Sequence, residues 1–343
     1  MAAGFKTATV RAADVPSTQT DFPSYVDLDR LGVTTLAEAQ SIRVYADEAK
    51  TVEWAREIVG AAEMHVKVPS LTSTVDIYVD WDGVRSDYAT TATYGRNAVW
   101  GDYSAVWHMG NSTDSTGNGN TLSAIGGVTI GGATGKFGSA TDFDGSDDRV
   151  TAADDASLDV LAGDFTLQSW VNPDVVGFQP YMNKGRRSGG RPAYSLDLHN
   201  NGQLGSFLQD DLSGFVAPEA GSYSAGAWVQ HITTFDRSAN GVMYVNATSV
   251  ATTSITAENG SINTTDTFNI GARLGSYGYP SSYFNGKVSE ARLLKSLLSA
   301  NWITTEYNNQ NDEATFWGTW TDAGGGGGGG AAQAARRGAV MMM

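Results

Sequence analysis

Residues 135–150 read GKFGSATDFDGSDDRV, and the fold class follows from how that stretch alternates. Ala140, Asp142 and Asp144 alternate with Thr141 and Phe143, Asp144-Gly145 carries a type I′ turn signal, and Val150 begins the return. A period of two predicts strand, tight turn, strand, with Phe143 as the inward residue. An amphipathic strand, FTLQSWV from Phe165 to Val171, follows.

Composition extends that reading to the whole chain. The 343 residues are enough for two domains and a tail. Forty-one glycines and 8 prolines, set with Ser, Thr, Asn and Asp among short Val, Ile, Tyr, Phe and Trp runs, predict many strands joined by turns, an all-β protein. A net charge of −15 and a sequence pI near 4.5 would repel a phosphate backbone, which removes nucleic acid from the expected partners. Cysteine is absent, so disulfides, thiolate nucleophiles and cysteine-ligated zinc are excluded together. The opening MAAGFKTATVRAADVP lacks the apolar core of a signal peptide, and no run approaches a membrane span. The expectation is a soluble protein made in the cytoplasm, without membrane insertion.

Further strands can be placed by the same periodicity. In the first part, SIRVYAD (Ser41 to Asp47) sets Ile42, Val44 and Ala46 against Arg43 and Tyr45, EWAREIV follows, EMHVKVPSL puts Met64, Val66 and Val68 on one face, and TVDIYVDWDG ends in a turn. These predict a small sandwich over residues 1–104. Beyond it, AVWHMGNSTDSTGNGN offers a strand anchored by Trp107 and a polar loop. The segment from Tyr194 to Leu204 pairs across Asn201-Gly202, and a short helix near the end is capped by Ser299, with Leu298 and Trp302 on its buried face. The last stretch, residues 319–343, contains seven consecutive glycines and predicts a flexible, disordered tail. Its end, with Arg336, Arg337, Val340 and three methionines, is either a docking peptide or an unselected terminus.

The phenylalanine-aspartate-glycine turn at 143–145, the Trp170-Val171 strand end, and the places taken by Trp228, His231, Asp236, Tyr244, Val245 and Asn246 resemble the laminin-G-like, concanavalin A-like lectin/glucanase jelly-roll modules. The resemblance implies such a module over residues 105–318. Phe22-Pro23, Ile42-Arg43 with Asp47, Lys67 to Leu71 and Tyr103 to His108 resemble, in order, a bacterial and phage domain of unknown function that commonly sits upstream of these modules. Two positions depart from the jelly-roll pattern. Ala247 replaces the usual turn glycine, which suggests a different turn, and Ser289 replaces the aspartate that normally precedes Glu290, which weakens the case for the structural calcium the resemblance implies.

Candidate sites are of three kinds. Asp114, Asn118 and Asn120 offer closely spaced oxygens, with Glu290 brought near by the fold, as a calcium set, although Asx residues with glycine also make turns unaided. Two loops suit a carbohydrate: GFQPYMNKGRRSGGRP, with Phe178, Tyr181, Asn183, Lys184, Arg186, Arg187 and Arg191, and GSYGYPSSYFNG, with Tyr277, Tyr279, Tyr283 and Asn285. Asp142, Asp144, Asp147 and Asp148 form an acidic cluster that reads as a solvated turn. Catalysis is not expected. The alternating Glu-x-Asp-x-Glu strand of the glucanases that share the fold is missing, Glu53 and Glu57 read as an ordinary strand edge, and there is no GxSxG, HExxH or P-loop. His65, His108, His199 and His231 read as strand residues hydrogen-bonded in or near the core.

The resulting expectation is a non-catalytic carbohydrate- or surface-binding adhesion or decoration protein on a bacteriophage virion, in tail or capsid. Its partners would be a cell-surface glycan or surface protein, and other virion proteins through the tail. An extracellular or cell-surface location is the alternative setting. A structural virion spacer or capsid stabiliser is the second reading and a glycoside hydrolase of the same fold the third.

Overall fold

A computed structural model of the chain describes residues 3–324 apart from 187–190, 213, 276 and 279. It is nearly all-β and consists of two sandwiches laid against each other. In the first, a five-stranded sheet runs in the order Thr321–Asp322, Gly4–Thr9, Asp76–Trp81, Arg43–Tyr45, Glu53–Trp54, and faces a three-stranded sheet of Gln19–Asp27, Glu63–Leu71 and Arg56–Ile58. Alternation sets the inward residues. Met64, Val66 and Val68 are fully buried against Phe22, Val26, Ile77 and Val79, as a period of two requires. Phe316, Trp317 and Trp320 complete this core, and Thr321 and Asp322 pair with Thr7 and Lys6. The stretch expected to open the flexible tail therefore begins as an edge strand of the first sandwich. Three large aromatic side chains in five residues have apolar area to bury, and the first sandwich supplies the place. The Arg336, Arg337 and Val340 docking segment lies outside the described residues.

The second sandwich has two large sheets. One runs Ala133–Thr134, Ser139–Asp144, Asn285–Leu294, Phe165–Pro173, Val229–Phe235, Asn240–Val245, Thr248–Ser254, with Ala105–Trp107 added beside Asn285–Leu294. The other runs Phe215–Val216, Leu204–Gln209, Ala193–Leu198, Gln179–Gly185, Phe268–Ile270, Arg149–Ala152, Ser123–Ile125. Trp107, Phe143, Phe165, Tyr194, Phe268 and Ile270 fill the space between them.

The stretch at 135–150 is two strands with Phe143 buried, but it is not a hairpin. Ser139–Asp144 pairs with Asn285–Leu294 in one sheet, whereas Arg149–Ala152 pairs with Phe268–Ile270 in the other. Gly145, at φ +77°, starts a corner that carries the chain across the core, so that Phe143 and Val150 reach the same interior from opposite sides. An Asp-Gly pair signals a reversal of direction, and periodicity alone cannot tell a reversal within a sheet from one between sheets.

The helix Ala300–Asn311 is capped by Ser299, whose hydroxyl accepts the Trp302 N–H at 3.1 Å. Leu298, just ahead of it, is buried with Ile303, and half-buried Trp302 packs on the Phe22 ring, as expected; the helix also buries Thr305, Glu306, Asn309 and Gln310, because it lies between the two sandwiches and satisfies polar groups on both. Asn309 brackets the Tyr25 backbone with two hydrogen bonds, at 2.7 and 2.9 Å, while Gln310 accepts the Trp170 Nε1–H at 2.6 Å.

Ala247 does not change the turn it occupies. Val245 pairs with Thr248 across two residues, and both Asn246 (φ +49°) and Ala247 (φ +64°) are left-handed, as a type I′ turn demands. Alanine pays there for a Cβ that glycine lacks. Ala247→Gly is expected to raise stability by about 0.5–1 kcal/mol in urea unfolding, the strain relieved outweighing the entropy glycine adds to the unfolded chain. An unchanged or lower midpoint would mean that the turn is not strained.

Candidate functional site

The two loops chosen from sequence meet at one end of the second sandwich. Arg186 forms an isolated parallel bridge with Leu274, and a Cβ on Gly278 would sit 2.9 Å from the Arg186 guanidinium. Arg273 lies over the Phe178 ring at 5.0 Å, and His199 packs edge-on to the same ring. Tyr277 is 86% exposed beside this junction, and Tyr283 is half-buried opposite Ala272. Arg187 and Tyr279 lie outside the described residues.

Two residues of the basic patch expected on the first loop, Lys184 and Arg186, are neutralised. Arg186 pairs with Asp266 at 2.7 Å, and Lys184, fully buried, pairs with Asp154 at 2.6 Å and Asp159 at 3.4 Å. Arg191 is exposed. Tyr181 is a core residue rather than a contact residue: it lies mid-strand on Gln179–Gly185 with no exposed surface, and its hydroxyl is bonded to His231 Nδ1. A loop reading failed here because its Gly and Arg residues flank a buried strand.

The four residues read as a calcium set are not gathered around one point. Asp114 spends both oxygens on its own loop, accepting from the N–H groups of Val106, Thr116 and Asn120, the Thr116 hydroxyl and the Asn120 amide. Asn118 and Asn120 both donate to Ser104 O. Glu290 instead gives its oxygens to His108 and Arg292. Ser289 is buried, receives the Lys136 N–H at 3.2 Å and bonds the Phe137 carbonyl, so it ties down the loop before Ser139.

Glu290 belongs to a buried polar cluster between the sandwiches. Glu63 and His65 come from Glu63–Leu71, His108 follows Ala105–Trp107, and Glu290 and Arg292 come from Asn285–Leu294. His108 is 2.6 Å from Glu290 through Nδ1 and 3.0 Å from Glu57 through Nε2, and His65 is 3.0 Å from Glu63. Glu57 also accepts from Ser115 and from Trp100 Nε1. Arg292 joins Glu290, at 2.8 Å, to Glu306 of the long helix, at 2.6 Å. Gly138 makes room, since a Cβ there would overlap the Glu63 carboxylate.

Charge follows from these contacts. Burial opposes the His108 charge, but Glu290 and Glu57, one at each ring nitrogen, hold it well above the ordinary imidazole range. Burial, with His108 beside it, pushes His65 far below that range. Burial lifts Glu63 to about 8. Sequence reading placed these histidines in strands, but not together: the residues come from four separate stretches, and no local spacing links them. Glu57, read as a strand edge, is buried at its centre, whereas Glu53 lies on a different strand and accepts the Tyr88 hydroxyl.

Asp144, Asp147 and Asp148 do share a turn, with Asp142, Asp174 and Asn285 around a shallow depression. Asp144 accepts the Ser146 and Asp147 N–H groups, and Lys287 stands between Asp142 and Asp174.

Residues 144–304 match the family described as the concanavalin A-like lectin/glucanases superfamily. No curated protein matches the chain. Among solved structures, it resembles one of botulinum neurotoxin type C, a toxin whose passage into cells depends upon interaction with two ganglioside molecules, at 15% identity and a TM-score of 0.50, over 62% of this chain and 52% of that one. The binding domain of Paraclostridial mosquitocidal protein 1 (14%, TM-score 0.49, 60% and 51%) and the botulinum neurotoxin serotype D ligand binding domain in complex with N-acetylneuraminic acid (11%, 0.49, 61% and 51%) are also similar. The match spans about half the length of these neighbours, and at such identities the likeness is one of fold.

His231 offers a check on the core described above. Burial, with His199 nearby, lowers its pKa to about 3, against 6.5 for a free imidazole. The native state thus binds fewer protons than the unfolded one, so this stabilisation is complete above about pH 6.5 and is lost as pH falls towards 3. Between about pH 6 and 4, wild-type stability is expected to fall more steeply than that of His231→Gln, by up to about 1.4 kcal/mol per pH unit. Parallel urea-derived profiles would show that His231 titrates alike in both states.

Proposed function

We infer that this chain, whose residues 144–304 form a concanavalin A-like domain, is a non-catalytic carbohydrate- or surface-binding protein that uses the loop junction at Arg186 and Tyr277. The observation that carries the reading is the meeting of two loops, picked independently for aromatic and hydrogen-bonding content, around the Arg186–Leu274 bridge. A nearly fully exposed Tyr277 offers an aromatic face, and a ring beside polar groups suits a sugar, which has an apolar face and a hydroxyl rim. With Lys184 and Arg186 paired to aspartates, a neutral, hydroxyl-rich glycan fits better than a strongly anionic one. The concanavalin A-like assignment and the ganglioside-dependent neighbour favour a glycan over a protein ligand.

Hydrolysis is disfavoured by burial. Glu57, Glu63, Glu290 and Glu306, the carboxylates gathered at the seam, are each no more than 5% exposed, out of reach of a sugar ring, and Asp144 of the exposed cluster is tied to the N–H groups of its own turn. Display on a bacteriophage particle is the setting we propose. It is supported by the cysteine-free sequence and by the resemblance of the first sandwich, and proteomics of purified particles lacking the chain would refute it.

Tyr277→Ala removes an exposed side chain, so its folding should be unaffected. On a broad glycan array the wild type is expected to bind a narrow set of glycans, and the variant to lose about tenfold in affinity at an unchanged melting temperature, the worth of one stacking contact. Absence of selective binding by the wild type would favour the spacer or capsid-stabiliser reading, and equal binding by the variant would move the site away from this junction.

A further inference from the structure

We propose that Glu63, His65, His108 and Glu290 form a metal site for a zinc-like transition dication, which fastens the two sandwiches to each other. The four residues come from both sandwiches, and one donor atom from each lies within 4.8 Å of all the others. His108 Nδ1 is 2.6 Å from Glu290 Oε1 and 3.6 Å from Glu63 Oε1, and His65 Nε2 is 3.0 Å from Glu63 Oε1. A tetrahedral ion with bonds of about 2.0–2.1 Å holds its donors roughly 3.3 Å apart. Displacements of a few tenths of an ångström to about one ångström, within reach of side-chain rotation, turn one arrangement into the other.

Two independent features point to a cation. The first is a surplus of buried negative charge. Glu57, Glu63, Glu290 and Glu306 are each at least 95% buried, and among the described residues the cations paired with them are Arg292 and His108. A dication adds charge where the carboxylates lack it, and buried carboxylates without compensation are costly. The second is the outer ring of contacts. The far nitrogen of His108 is held by Glu57, which is fixed in turn by Ser115 and Trp100, and the far oxygen of Glu290 is held by Arg292 Nε. A carboxylate behind a ligating histidine is how metal sites orient the ring and strengthen its donor nitrogen.

The donor chemistry selects the ion. Two imidazoles and two carboxylates, with no thiolate, suit a borderline first-row dication better than calcium, which prefers six or more oxygens. Four protein donors make a closed, structural site. A cavity of about 120 Å³, lined by Arg56, Glu57, Arg96 and Ser115, adjoins the carboxylate that holds His108. The proposal is independent of the glycan reading, because the cluster is buried at the seam and the loop junction is at the surface.

The test uses the full chain, stripped by chelator and desalted. Zinc added back is expected to stay bound at one equivalent after a second desalting, and cobalt added instead to give the strong visible absorption of a tetrahedral site. His65→Phe keeps an aromatic ring against Trp100 and His108, and is expected to weaken zinc binding roughly a hundredfold and abolish the cobalt band. The paired variant Asp144→Asn with Asp147→Asn should leave both signals intact. The proposal is overturned if the wild type retains no metal and shows no cobalt band, or if the signals survive His65→Phe, or vanish in the turn variant. Should His65→Phe fail to fold, the wild-type cobalt spectrum still decides between a tetrahedral centre and protons alone.

Discussion

Arg292 is the constraint on which the arrangement of the two sandwiches rests. Its guanidinium is buried, lies over the Trp100 ring at 4.8 Å, and is held by Glu290 on its own strand and Glu306 on the long helix. A buried cation is tolerable only when paired and hydrogen-bonded, so the helix must lie where Glu306 can reach it. Once there, the same helix presents Gln310 to Trp170 and Asn309 to the Tyr25 backbone, and the first sandwich is drawn against the second. His108 extends the network, linking Glu290 to Glu57 of the first sandwich.

That seam separates two kinds of surface. Apolar burial in each sandwich supplies most of the stability, through Trp107, Phe143 and Phe268 in one and Phe22, Val66 and Trp317 in the other. Between them, apolar clusters around Trp100 and around Tyr25, Phe137 and Trp170 add contact, and the buried polar groups supply orientation, since hydrogen bonds and ion pairs have direction where apolar contacts have little. The loop junction at Arg186 and Tyr277 stays outside both cores, anchored by the Arg186–Asp266 pair but open to solvent on its aromatic side. Loops on a rigid double scaffold are well placed for recognition.

Much of this was legible in the sequence because it is local. Met64, Val66 and Val68 alternate and are buried together. Ser299 reads as a cap and is one, and Asn201-Gly202 joins two adjacent strands. What could not be read depends on distant partners. Asp144-Gly145 signals a turn without saying which sheet receives the chain, and Tyr181 looks like a loop residue until its strand is paired on both sides. Trp317 and Trp320 sit next to a glycine run, yet belong to a core begun by residues more than 200 positions earlier. The seam was the hardest part, because Glu57, Glu63, His65, His108 and Glu290 are ordinary strand residues one at a time.

The central claim is that the buried ion pairs make the two sandwiches one cooperative unit. Scanning calorimetry of the wild type and of Arg292→Met tests it most directly, since methionine fills much of the space, leaves Glu306 without its cation and leaves Glu290 with His108 alone. The account expects a single wild-type transition, with calorimetric and van't Hoff enthalpies equal, and in the variant a loss of about 3–5 kcal/mol together with two resolved transitions. A variant that still melted in one transition, at nearly the wild-type temperature, would contradict it and assign the union of the sandwiches to apolar contact alone.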